Sequence, residues 1–123
     1  TDNAIEHIFE GNVKRGRAGG YHYECIEDSA GKVILGTEVS INTLGVYKAQ
    51  VKVNGIPKTA NGGYSTFFPK SMTPQDVIDS INEAYDRRVF IEGTRNTYRG
   101  YAKNGLEIEM YINEKIISAF PKE

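Results

Sequence analysis

The sequence predicts an α+β fold, mostly antiparallel sheet with a short N-terminal helix and one main helix. Three observations carry this. "VYKAQVKV" alternates without a break, setting Tyr47, Ala49, Val51 and Val53 on one face and Lys48, Gln50 and Lys52 on the other. "LEIEMYI" alternates in the same way and turns Leu106, Ile108, Met110 and Ile112 inward. Between them, residues 73–88 read as a helix. Strands, a helix and then a hairpin, in that order, define the class.

The elements follow in chain order. "AIEHIF" spaces Ile5, Ile8 and Phe9 as one face of a short helix. Glycines 11, 16, 19 and 20 then read as a loop. From Val33 the pattern is β-like, and Asn54-Gly55 ends the long strand with a turn. Pro57 prevents a regular central strand immediately after it, and "YSTFF" resumes extended structure. Thr73 is the N-cap of the main helix, and Pro74 sits at the first helical position, where its missing N–H costs nothing. Asp76 favours the positive end of the helix dipole. Val77, Ile78, Ile81, Ala84 and Tyr85 form its apolar stripe, and Arg87 and Arg88 close its C-terminal end. A short turn over residues 113–115 joins the last two strands.

A chain of 123 residues fits one domain, spanning 1–123. At this size it buries roughly two thirds of the surface its unfolded form exposes. Hydrophobic content of 39% and charged content of 25% are those of a globular domain, and there is no apolar run long enough to span a membrane. The first ten residues lack the basic and apolar regions of a signal peptide, and the chain starts without Met, which suggests a domain excised from a longer protein. The single cysteine, Cys25, excludes an internal disulfide and zinc sites built on Cys pairs, and reads as a small buried hydrophobe. A formal net charge of −1 rules out a basic field over the whole molecule. Two local basic patches remain. One holds Lys14, Arg15 and Arg17. The other runs from Arg87 to Lys103 and includes Arg95 and Arg99.

The chain has only two histidines, His7 and His22, at the two ends of the glycine-rich basic loop. Three readings are open. They are surface side chains; they are part of a metal site, for which their spacing is poor; or they are a paired general acid and base. Imidazole titrates near neutrality, so one ring can start neutral while the other is charged. Cleavage of RNA by its own 2′-OH needs such a pair, plus a cation to steady the phosphorane, and calls for no cofactor. Glycines and three cations between the histidines suit a close approach to phosphate.

Four blocks in order resemble the EndoU endoribonuclease family, its bacterial contact-dependent inhibition toxin branch in particular. They are "HIFEGNVKRGRAGGYH", "VNGIPKTANGGYSTFFP", "SMTPQDVIDSINEAY" and "IISAFP". The resemblance covers nearly the whole chain and implies an EndoU, RNase A-like acid/base mechanism. It makes His7 and His22 the catalytic pair and Lys58 the catalytic lysine. By pattern alone Lys48, Lys52 and Lys58 would all read as solvated strand lysines. Ser65 matches a serine that contacts the base in coronaviral relatives, Ser118 matches a Thr or Ser of the same pocket, and Phe120 stands where those relatives have Tyr. Two departures separate the chain from the uridylate-specific pattern: the spacer "TANGGY" is longer than in animal and viral members, and Phe120 keeps a stacking face without the Tyr hydroxyl.

In "TRNTYRGY", Arg95, Tyr98, Arg99 and Tyr101 interleave cations with aromatics; this suits substrate contact, or else is a polar hairpin with edge aromatics. The resemblance implies a toxin domain, delivered into a neighbouring cell, that acts in its cytoplasm on RNA, with tRNA a target class. It also implies a cognate immunity protein, expected to be acidic and to cover the site. The rival class is a non-catalytic RNA-binding or inhibitor domain, with a metal-dependent phosphodiesterase more distant.

Overall fold

The computed structural model describes residues 2–25, 29–113 and 115–122. It is α+β with antiparallel pairing throughout the described strands. In chain order the elements are α1 (Asp2–Phe9), β1 (Asn12–Lys14), β2 (Arg17–Gly19), β3 (Gly31–Val33), β4 (Val39–Ser40), β5 (Tyr47–Val53), β6 (Ile56–Pro57) and β7 (Tyr64–Phe67), followed by α2 (Pro74–Asp86), β8 (Val89–Phe90), β9 (Thr97–Tyr101), β10 (Glu107–Asn113) and β11 (Lys115–Pro121). A one-turn 3₁₀ helix, Ala60–Gly63, precedes β7.

The long alternating strand is the spine of the first sheet. β3 and β6 pair with the C-terminal half of β5, and β4 and β7 with its N-terminal half. The expected face, Tyr47, Ala49, Val51 and Val53, is buried and packs with Phe67, Tyr21 and Ala18. Pro57 is tolerated because β6 has only two residues and pairs with β5 alone. The second sheet has the order β11-β10-β9-β8. Its inward residues, Ile108, Met110 and Ala119, meet Ala4, Ile8, Val77, Ile81 and Ala84 from the two helices in a second core.

α2 starts where its sequence says it should. Thr73 Oγ1 accepts the Asp76 backbone N–H at 3.1 Å, and the Asp76 carboxylate accepts the Thr73 N–H at 2.9 Å, which completes a capping box with Pro74 at the first position. Arg87 is its C-cap. The Arg88 guanidinium lies 4.0 Å over the Tyr85 ring and donates to the Tyr85 carbonyl at 3.0 Å.

Two expectations need correcting. The glycine-rich segment is a hairpin, not a loop. Lys14 pairs with Arg17 across a two-residue turn, and Arg15 and Gly16 both take positive φ, as a primed hairpin turn requires. Cys25 is exposed, with Sγ 3.8 Å from the Lys70 carbonyl oxygen. Residues 21–25 form no regular strand, so period-two alternation does not carry Cys25 inward. In the last turn Asn113 pairs with Lys115, while Glu114 lies outside the described residues.

Gly100 sets how closely α2 lies on the second sheet. A Cβ there would collide with the Ala84 carbonyl, although the Gly100 backbone itself is unstrained. Gly100→Ala should therefore destabilise the domain by about 2 kcal/mol, the usual scale of overpacking at a site that cannot yield. Urea unfolding measures this, and an unchanged midpoint would mean that the helix can lift at little cost.

Candidate functional site

The last turn of α1 leaves backbone carbonyls without helical partners. Tyr21 and His22 supply them. The Tyr21 N–H donates to the His7 carbonyl at 2.8 Å, and the His22 N–H donates to the Ile8 carbonyl at 2.6 Å. This docking needs Gly20, which has φ +75° and lies so near His7 that a Cβ would strike its carbonyl and its ring. The hairpin between the two histidines is thus a strap that returns the chain onto the helix end. On the far side the Phe68 N–H donates to the His22 carbonyl at 2.9 Å, which ties the strap to the chain just past β7.

The result is a cleft of about 650 Å³ between the two sheets. His7 and His22 line it with ring centroids 6.2 Å apart. The tautomer of each ring follows from its partner. His7 Nδ1 donates to Asn12 Oδ1 at 2.9 Å, and His22 Nδ1 donates to the Thr66 carbonyl at 2.7 Å. The Thr66 carbonyl only accepts, so His22 keeps Nε2 for proton exchange, and with the Asn12 oxygen turned to its ring His7 does the same. Burial pushes both imidazoles below their ordinary value, and the Lys58 charge pushes in the same direction. His22 is 6% exposed and is lowered to about 3; it is neutral near neutral pH. Its ring also stacks on Phe120 at 5.1 Å.

Lys58 follows the β5–β6 turn, and its N–H donates to the Val51 carbonyl at 2.9 Å. Its ammonium donates to Ser65 Oγ at 3.0 Å, and burial lowers its pKa. Ser65 is 2% exposed and donates its one hydrogen to the Gly20 carbonyl at 2.9 Å. A single hydroxyl therefore links Lys58 to the glycine that lies against His7. On the opposite wall, β10 and β11 present Glu109, Tyr111, Ser118 and Phe120 on one face. The Ser118 hydroxyl is buried and has no hydrogen-bond partner among the described residues.

The structure brings His7, His22, Lys58, Ser65, Ser118 and Phe120 into one cleft. Lys14, Arg15 and Arg17 are exposed on the hairpin beside it. The Arg95–Tyr101 segment is not brought in. Arg95 is exposed ahead of β9, and Arg99 reaches Glu107 at 3.4 Å. Tyr98 pairs with Met110 on the face turned to the helices and packs against that core, so it is no stacking surface for this cleft. Sequence reasoning missed Lys48, Tyr64 and Lys122, which also line the cleft. Alternation had put Lys48 on the polar face of β5, but only the third dimension shows that this face borders a cleft. Among the described residues no group of three or more His, Cys, Asp or Glu could hold a metal ion, and no helix is long and apolar enough to cross a membrane.

Two imidazoles and an ammonium meeting in an open cleft of a small α+β domain are the equipment of a protein that handles phosphate esters. The chain belongs to the bacterial EndoU nuclease family, whose model matches residues 1–123. It is also 54% identical over 124 residues to a Bacillus cereus (strain ATCC 14579) protein named "Toxin". The match takes in 98% of this chain and 22% of that protein, so the chain spans about a fifth of the relative's length. No solved structure matches the chain.

The buried neutral His22 makes stability depend on pH with a definite sign. Its folded pKa lies below its ordinary value of 6.5, so the unfolded chain binds the proton more readily. The contribution is intact above pH 6.5 and is lost as pH falls toward about 3. Urea titrations of wild type and His22→Asn should separate across that window. Wild type should lose up to about 1.4 kcal/mol more per pH unit, the linkage limit for one proton. Parallel curves would show that His22 does not titrate as a buried neutral ring.

Proposed function

We propose that this domain is an endoribonuclease toxin that cleaves RNA by 2′-OH transesterification, leaving 2′,3′-cyclic phosphate and 5′-OH ends. The observation that carries the reading is the meeting of His7, His22 and a tethered Lys58 in one cleft. A neutral His22 suits the base that takes the 2′-OH proton. His7 is less buried and protonates more readily, which suits the acid that protonates the leaving 5′-oxygen. Lys58 has three ammonium hydrogens and gives one to Ser65, leaving two for the oxygens of the phosphorane. In this scheme Ser65 positions Lys58, and contact with the base falls to Ser118 and Phe120.

The test is incubation with total RNA, mapping of the ends, and assay of three variants. His7→Ala and His22→Ala should each lose about 10²–10⁴-fold in rate, and Lys58→Ala on the order of 10²–10³-fold. Activity should survive EDTA. Cuts bearing 5′-phosphate, or near-full rate in either histidine variant, would overturn the scheme.

The biological setting is proposed on the name of the B. cereus relative and on the family. The domain would be carried by a larger secreted or cell-surface protein of the contact-dependent growth inhibition type and would act on tRNA in the cytoplasm of a target bacterium. An acidic immunity protein would cover the cleft and compete with RNA. The cations Lys14, Arg15 and Arg17 are exposed on the hairpin that joins the two histidines and would speed the encounter with either partner. Changing all three to Glu should slow both RNA cleavage and inhibitor association at low salt. An unchanged inhibitor on-rate would place the inhibitor on another surface.

A further inference from the structure

The proposed chemistry leaves part of the cleft lining unassigned. That part is built by β5, β7 and the 3₁₀ turn Ala60–Gly63. Lys48 pairs with Thr66 and Gln50 with Tyr64, so Lys48, Tyr64 and Thr66 share one face, and all three line the cleft. The Thr66 carbonyl is the acceptor that holds His22. Lys48 is therefore one cross-strand step from the residue that orients a catalytic ring. Its ammonium lies 5.2 Å from the centre of the Tyr64 ring, and both side chains are half-buried. Asn61 and Ala60 line the cleft beside them. Their turn is braced to β5 by Gln50 Nε2, which donates to the Gly62 carbonyl at 3.0 Å. A positive φ of 54° at Asn61 holds the turn in a shape that most residues avoid.

A cation beside an aromatic ring on a fixed wall is the pairing that holds single-stranded nucleic acid, phosphate on the cation and base on the ring. At about 650 Å³ the cleft lies within the roughly 300–1,000 Å³ range of ligand pockets. We propose that Lys48, Tyr64 and the Asn61 turn form a subsite for a nucleotide flanking the scissile bond, with its phosphate on Lys48 and its base on Tyr64. The enzyme would then prefer an RNA strand to the bare dinucleotide that spans the reactive bond. This rests on the reading of the cleft as an RNA-cleavage site.

The experiment compares kcat/KM for a dinucleotide with that for trinucleotides extended on the 5′ or the 3′ side. One extension should raise kcat/KM about tenfold, within the range that base stacking on an aromatic supplies. In Lys48→Ala and in Tyr64→Leu the ratio of trinucleotide to dinucleotide should fall to about one, while Lys48→Arg should keep most of it. Because the ratio is taken within one variant, a general loss of activity does not mimic the effect. A second arm needs no turnover. Binding of a 2′-deoxy oligonucleotide should weaken with salt, and the slope of log Kd against log salt should be smaller by about 0.7 in Lys48→Ala, the share of one single-strand phosphate contact. Equal kcat/KM for all lengths in wild type, a ratio that survives Lys48→Ala, or an unchanged salt slope would each overturn the subsite. Loss of the cyclic-phosphate products with the slope difference intact would instead count against the proposed chemistry alone.

Discussion

The site depends on the docking of residues 20–22 against the C-terminal end of α1. A helix end presents carbonyls that need donors. Here the donors come from the segment that carries His22, and the carbonyls from the turn that carries His7. The same two hydrogen bonds therefore cap the helix and hold together the two backbone segments that carry the rings. Gly20 makes this approach sterically available, and Tyr21 follows with φ 70°, a conformation that costs a non-glycine residue on the order of 1 kcal/mol. Tyr21 persists there because its ring is buried, edge-on to Phe67 at 5.2 Å and against Gly31. The apolar core of the first sheet thus holds the backbone strain next to the histidines.

The electrostatics of the cleft follow from the same burial. His7, His22 and Lys58 all have their charged forms disfavoured by desolvation, and Lys58 further disfavours protonation of both rings. The cleft concentrates groups that would each carry charge more readily beside an anion. In the proposed reaction that anion is the phosphodiester. Its binding would favour the protonated form of the less buried ring while His22, held by burial and its stack on Phe120, stays neutral. The two imidazoles then differ first in depth, since desolvation is the largest cause of the shift at each ring.

Much of this was legible in the sequence because the decisive patterns are local. The alternation of Tyr47–Val53 predicted which face is buried, and Thr73-Pro74-x-Asp76 predicted where α2 begins; both depend on residues within one element. The blocks resembling EndoU likewise carried His7, His22 and Lys58, which the fold brings to one cleft. What was not legible was tertiary. Cys25 read as buried because its neighbours read as strand, and the irregular backbone broke the rule. Tyr98 and Arg99 looked like an RNA-binding pair, yet β9 turns them to opposite faces, one to the helices and the other to Glu107. Lys48 and Lys52 looked alike on one polar face, and only Lys48 lines the cleft.

The two serines show why residue type at a motif position underdetermines its role. Ser65 and Ser118 are each 2% exposed and both line the cleft. Ser65 gives its hydrogen to Gly20 and accepts from Lys58, so its geometry is committed inside the protein. Ser118 makes no such bond among the described residues, and an unpaired buried hydroxyl costs about 1–3 kcal/mol. A group left in that state gains most from a ligand that can complete it. It stands beside Phe120 on β11 and opposite Tyr111 on β10, a wall that also offers aromatic surface. The cleft is therefore asymmetric: the strap and β7 hold the two imidazoles and the ammonium in place through bonds already made, while the β10–β11 wall keeps a polar contact open. In the proposed reaction such a division would let the reacting groups stay rigid while the opposite wall meets the base.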